Sequence, residues 1–252
     1  MPIHLGALGL QCHNPNFFRN FYPAMTPELR KEASELQLHK RGIRINVQLH
    51  VIEADDEVTL RSKPEVEARL WALWAVSQAA SDEDPNRAKV LHHYLSQRGL
   101  LGALSAQEST FLTDQFMAPQ QRIRFLERRH AFHFLAWCAG LLDNIDLSSK
   151  PIKSDTILQY FPRLDSPNPE PLSDNSLSLT NAIKLRRKDA IMNWSDLLYR
   201  LHWAVRHAQL NGKPSPGNID SAMVREWHQA VNWMCCYDDE QDWDQVSTET
   251  TA

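Results

Sequence analysis

Glycine is scarce in this chain, with eight in 252 residues. That argues against the Gly-rich turns of an all-β or doubly wound design and in favour of helices. Cysteine is scarcer still. Cys12, Cys138, Cys235 and Cys236 form no CxxC pair and show no Cys/His spacing of the zinc type, so a reducing cytoplasm is the expected compartment. Long apolar runs are also missing. The longest, Ala131 to Leu142, contains His133 and falls far short of the ~20 residues a bilayer span needs, so no membrane partner is expected. Residues 1 to 11 hold neither Lys nor Arg, and bulky Gln11 precedes Cys12, which together argue against a secretory or lipoprotein leader. No GxSxG, P-loop, dinucleotide fingerprint or HExxH occurs.

The charge that is present is unevenly placed. Net charge is −4, and six acids (Asp238, Asp239, Glu240, Asp242, Asp244, Glu249) crowd an end that has no Lys or Arg, leaving 27 bases against 25 acids elsewhere. Two basic clusters lie in the body, at Arg122, Arg124, Arg128, Arg129 and at Lys184, Arg186, Arg187, Lys188. Nucleic-acid domains concentrate such charge among aromatics at basic overall balance. These clusters are therefore read as solvated helix flanks, and nucleic acid is not the expected partner.

Helix signals dominate the pattern. Thr26 and Pro27 open a helix that Gly42 stops, and Ser62 with Glu65 and Ser105 with Glu108 are capping boxes that open two more. Further helices are expected near Asn86 to Gln97 and over Gln121 to Leu142. Arg187, Ile191, Trp194, Leu198, Leu201, Val205 and Ala208 recur at spacings of four and three, the stripe of a long helix ended by Gly212. A last helix runs from Asp220 to about Tyr237, carrying Val224, Trp227, Val231 and Met234. Ile43, Ile45, Val47, Leu49 and Val51 alternate with polar residues, which predicts a half-buried strand, with Val58 to Leu60 as a short return. The expected fold is thus mainly α: a single helical bundle of about six to eight helices with a small N-terminal β element. Residues 1–25 read as an irregular segment and 26–252 as one helical domain, with a Pro-rich loop at 148–181.

Three C-terminal motifs carry a resemblance. They are DLLYRLHWAVR at Asp196 to Arg206; Glu226, His228, Ala230, Asn232 and Trp233; and Asp242, Trp243, Asp244, Val246, Glu249 and Thr250. Together with RKEASELQLHKRGI, EVEARLWAL and LAWCAG upstream, they make the chain resemble the domain of unknown function 4272 family (DUF4272) from about Thr26 to Thr250. The resemblance implies a bacterial source and no particular activity. Trp227, His130 and Glu249 stand where Arg, Glu and Asp are usual in that family, so any charged site in relatives is altered here.

Several side chains could carry chemistry. Asp196, His202, Glu226 and His228 are the catalytic candidates, and a hydrolase or transferase using this His/Asp/Arg cluster is one reading of the function. Arg200, Arg206, Trp227, Asp242, Trp243 and Asp244 are the candidates for binding or for a structural clamp. In that clamp Asp242 and Asp244 dock onto Arg200 or Arg206, because buried charge needs an opposite charge nearby. Trp227 is singled out as an exposed interface residue. A metal set of His130, His202, His228 and Asp244 would need distant segments to converge, and no metal or cofactor is expected. The leading reading is a non-enzymatic protein-binding module, in one form an immunity protein that neutralises a cognate bacterial toxin. Nucleic-acid binding through the basic clusters is a third reading, and oligomeric state is left open.

Overall fold

The computed structural model describes residues 25–82, 84, 86–114, 119–148, 154–164 and 178–250. The N-terminal segment 1–24 and residues 149–153 and 165–177 of the Pro-rich loop lie outside them. Nine α-helices occur among the described residues: α1 (Pro27–Lys40), α2 (Lys63–Ser81), α3 (Asn86–Gln97), α4 (Ala106–Thr113), α5 (Pro119–Cys138), α6 (Asp155–Leu158), α7 (Leu179–Ala182), α8 (Lys188–Leu210) and α9 (Ser221–Met234). The fold is mainly α, as the patterning predicts. Two of the nine, α6 and α7, are single turns inside the Pro-rich stretch.

Caps set the helix starts. Thr26 accepts a hydrogen bond from the Leu29 N–H, and both capping boxes close, each Glu reaching back to the backbone of its N-cap residue. Asp220 caps α9 by accepting from Ala222 and Met223.

No strand is present among the described residues, which corrects the expected β element at 43–60. Alternation there is real but has nothing to pair with. Ile43 and Leu49 are buried, whereas Val47 and Val51 stay 56% and 43% exposed, and Asn46 turns the chain by accepting from the Gln48 N–H. Side chains take the place of a ladder. Lys31 donates to the carbonyls of Val47 and Leu49, Lys188 to those of Asp55 and Val58, and Arg200 to that of His50. Peptide oxygens satisfied by long cations need no neighbouring strand.

Packing runs α2 against α5, α5 against α9, α9 against α8 and α8 against α1, with α3 and α4 laid on α2. α2 is the central element, buried on every side from Leu70 to Ser77, so its apolar surface is wider than the single stripe legible in its sequence. Two aromatic clusters fill the layers. Trp71, Trp74 and Phe132 gather around Phe161, and Phe134 and Trp194 around Trp227 with Trp137 against both of them, at ring centroids 4.6–6.2 Å apart. Trp227 is completely buried, which corrects its reading as an exposed interface residue.

The end of α5 shows how the sequence joins two halves of the bundle. Its last carbonyls have no helical partner, and the segment before α8 supplies them: Lys184 N–H to Ala139, Arg186 N–H to Cys138, and the Arg186 guanidinium to Trp137 and Asp143. Such close approach demands glycine at 140. Its φ is +74°, and a Cβ there would stand 2.5 Å from the Lys184 carbonyl oxygen. Gly140→Ala is therefore expected to cost about 2–3 kcal/mol or more in urea unfolding. Gly212→Ala is the control: φ is +62° but nothing lies within 4 Å, and the expected loss is about 1 kcal/mol. Equal losses would refute the contact argument.

Candidate functional site

α8 and α9 run side by side and bring the C-terminal candidates together, but mostly into closed pairs. Arg200 holds Asp196 with two hydrogen bonds, 2.9 and 2.7 Å, while its other nitrogen lies 3.6 Å from Glu35 on α1. Both residues are buried, so this i, i+4 pair ties α8 to α1 and to the 43–60 segment rather than decorating a surface. Glu226 is buried against Arg128, 3.1 Å away, with Arg225 at 3.3 Å. Arg206 is exposed.

Asp242 and Asp244 do not reach Arg200 or Arg206, which corrects the expected clamp. Asp242 accepts from the Asp244 N–H and Asp244 from the Gln107 N–H at the start of α4. The C-terminal end is docked by other groups. Arg61 donates to the carbonyls of Trp233 and Glu240 and to the Gln241 side chain; Gln229 donates to the Trp243 carbonyl. Trp243 is buried beneath the Arg69 guanidinium, 4.1 Å from ring centroid to carbon.

Beneath that stack lies a charge network that sequence reasoning missed. Glu108, fully buried, is gripped by both terminal nitrogens of Arg69, and Arg128 stands 4.0 Å away and bridges on to Glu226 and Gln229. Burial pushes the Glu108 carboxyl up, but Arg69 and Arg128 outweigh it and hold the pKa below the ordinary value. The only local signal was the capping box, which accounts for Glu108 without requiring burial. Part of each basic cluster is spent in the same way, while Arg124, Arg129, Lys184 and Arg187 stay exposed as the expected helix flanks. Arg122 binds the Ala80 and Asp82 carbonyls, Arg186 caps α5, and Lys188 caps the 55–58 turn.

His202 and His228 are a buried pair, and His228 alone of the two lines a cleft. Their Nδ1 atoms are 2.9 Å apart, and the Asn232 amide donates to the Ser247 carbonyl at 2.8 Å and faces His228 Nε2 at 3.2 Å. An amide can only donate there. The network therefore places a proton on His228 Nδ1, pointing at the bare Nδ1 of His202, with both rings neutral. Burial, reinforced by Arg206, lowers His202 to about 4 and His228 well below the ordinary range. His228 forms one wall of a cleft of about 410 Å³ between the 50–53 segment, α8, α9 and the end of the chain, with Ser195, Tyr199 and Asn232 beside it. A smaller hollow of about 200 Å³ shares Glu53, Ser195, Asn232, Tyr237 and Asp238 with it. Cys236, Asp238 and Asp239 all adopt left-handed backbone, φ 51–55°, which turns the acids toward the rim.

Carboxylates define this rim. Glu53, Glu57, Asp238, Asp239 and Glu249 are exposed around the two hollows, and none meets a cationic side chain among the described residues. A larger hollow, about 640 Å³, lies between α2, residues 99–106 and Trp243. Its guanidinium groups, Arg61 and Arg69, are already engaged in docking the chain end, so it is read as the seam of that docking. The metal set considered from sequence disperses: His130 pairs with Asp220 at 3.6 Å and Asp244 with Gln107. Among the described residues no group of three or more His, Cys, Asp or Glu is arranged to hold a metal, and no helix is long and apolar enough to cross a membrane.

The architecture defines an all-α domain whose C-terminal end is packed into its own core. The chain belongs to the family described as domain of unknown function (DUF4272), whose match spans residues 30–246. No curated protein and no solved structure matches it.

Two tests follow from this geometry. Glu108→Gln keeps shape and cap but strands Arg69 and Arg128, and is expected to cost about 3–5 kcal/mol in urea unfolding; a loss under about 1 kcal/mol would show that the network is incidental. Buried His133 also falls to about 4, through burial. The unfolded chain gains protons on these imidazoles below the ordinary 6.5, whereas the folded chain does not until about 4. Stability should therefore fall as pH falls, by about 2 kcal/mol each for His133 and His202 between pH 6.5 and 5. A Tm unchanged across that window would contradict it.

Proposed function

We propose that this protein is a non-enzymatic binding module that receives a Lys- and Arg-bearing segment of a partner protein in the acid-rimmed cleft. One form of this is an immunity protein neutralising a cognate bacterial toxin in the cytoplasm. The observation that carries the reading is the contrast between the two sets of charges. Buried carboxylates such as Glu108, Glu226 and Asp196 each have a guanidinium beside them, whereas the rim acids Glu53, Glu57, Asp238, Asp239 and Glu249 meet no cationic side chain among the described residues. Unpaired acids around a hollow set up a field that draws in and orients a cationic surface.

An enzymatic reading, a hydrolase or transferase, has one observation in its favour: His228 walls the same cleft beside Tyr199 and Ser195. Proton affinity weighs against it. A general base works best with a pKa near the operating pH, and burial holds His228 far below that. Asp196 and Glu226, the carboxylates that could assist, are closed into ion pairs.

The test is co-expression with the product of each adjacent gene. One product is expected to bind and lose its toxicity, with affinity falling steeply between 50 and 500 mM salt, on the order of tenfold or more. Charge reversal at Glu53, Asp238 and Glu249 together should abolish binding while leaving the helical circular dichroism intact. Failure of every neighbouring product to bind, or binding indifferent to the reversal, would reject the proposal.

A further inference from the structure

Long cations hold the peptide oxygens on either side of residues 51–53 and skip those between. Lys31 and Arg200 take the carbonyls of Val47, Leu49 and His50, and Lys188 takes those of Asp55 and Val58. Among the described residues no hydrogen bond reaches the N–H or C=O of Val51, Ile52 or Glu53. From His50 to Ala54 the chain is neither helical nor turned and runs straight, between the bend at Leu49 and the turn at 55–57. None of these residues has positive φ, so the run is extended backbone. Side chains alternate along such a run, yet four consecutive residues, His50 to Glu53, line the 410 Å³ cleft. The main chain itself therefore borders the hollow.

We infer that residues 50–54 are an open strand edge, to which a basic segment of a partner protein adds as a β-strand. The inference rests on the acid-rimmed cleft as a receiving site and supplies its mode of binding. Unpaired extended backbone is what an added strand pairs with: main-chain hydrogen bonds hold it, and alternate side chains give it specificity. In a strand, one residue presents its N–H and C=O to the same edge, and the His50 carbonyl is turned to Arg200. Val51 and Glu53 consequently fall on the opposite edge.

The added strand has two faces. Lys or Arg at every second position shares the face of Glu53, where Asp238 and Glu249 line the same cleft. β-branched residues between them share the face of half-buried Ile52. The period-two pattern that ends at Val51 then belongs to one half of a ladder whose other half comes from outside.

The experiment titrates the full, isotope-labelled chain at low salt with two probes. One is the peptide acetyl-Lys-Val-Lys-Val-Lys-Val-Lys-amide, and the other is the same peptide N-methylated at every interior amide. Methylation keeps each charge and removes the donors a ladder needs. The first peptide is expected to slow hydrogen exchange at the Val51 and Glu53 amides and to bind about tenfold more tightly than the methylated one, or better. Val51→Pro removes one edge donor at a position 43% exposed and should weaken the first peptide several-fold with the helical circular dichroism unchanged. Val51→Thr keeps the N–H and should bind as the parent chain does. Equal affinity for the two peptides, no slowing at Val51 and Glu53, or full binding by a folded Val51→Pro chain would overturn strand addition and leave the cleft as an electrostatic receiving site. Binding of neither peptide would overturn both readings.

Discussion

Glu108 cannot be removed from water as an anion without a cation beside it, and meeting that requirement organises much of this protein. Arg69 of α2 grips the carboxylate, and Arg128 of α5 stands behind it and continues to Glu226 of α9. Four helices are thus fixed relative to one another by a single buried anion and its neighbours. The stack of Trp243 on Arg69 then recruits the chain end, since a guanidinium pinned from one side by a carboxylate offers a flat, desolvated face to an indole on the other. The charges serve less as a source of stability than as a register. A hydrophobic replacement could pack as well, but it would not dictate which faces of α2, α4, α5 and α9 meet.

Local chemistry was legible in the sequence and distant pairing was not. Thr26, Ser62 with Glu65, Ser105 with Glu108, and Asp220 announce helix starts because a cap and its target lie within three residues of each other. The stripe on α8 shows its buried side for the same reason. Alternation over Ile43 to Val51 was misleading, because period two records which side chains point inward and says nothing of whether a second strand exists; lysines 31 and 188 took the hydrogen bonds instead. The docking of the C-terminal end was anticipated in kind, with the wrong partners. Arg200 was engaged four residues away by Asp196, while Arg61 and Arg69, remote in sequence, were available. Trp227 was misplaced because an aromatic next to charged residues on a helix looks alike whether the neighbouring face is solvent or another helix.

The His202 and His228 pair follows from the same burial. Two imidazoles in contact cannot both be charged, and the amide of Asn232, already committed to the Ser247 carbonyl, fixes which nitrogens bear hydrogen. A neutral ring with a defined tautomer is a good wall for a cleft and a poor proton acceptor. The residues that the sequence marked as chemical candidates are each held by a partner: Asp196 by Arg200, Glu226 by Arg128, and the two histidines by each other.

That closure gives the acids at the rim their meaning. Exposed carboxylates cost little in water, so their presence alone requires no explanation; their position does. Three consecutive or near-consecutive non-glycine residues in left-handed backbone, Cys236, Asp238 and Asp239, each carry a conformational penalty of roughly 1 kcal/mol or more. Arg61 holds the turn in place from below, through the carbonyls of Trp233 and Glu240 on either side of it. A chain that only had to pass from α9 to the Trp243 anchor could do so with ordinary turns and without strain. The strained path presents Asp238 and Asp239 beside Glu53 and Glu57, on the side where α8 and α9 leave a hollow, and it is this convergence that a cationic partner would read.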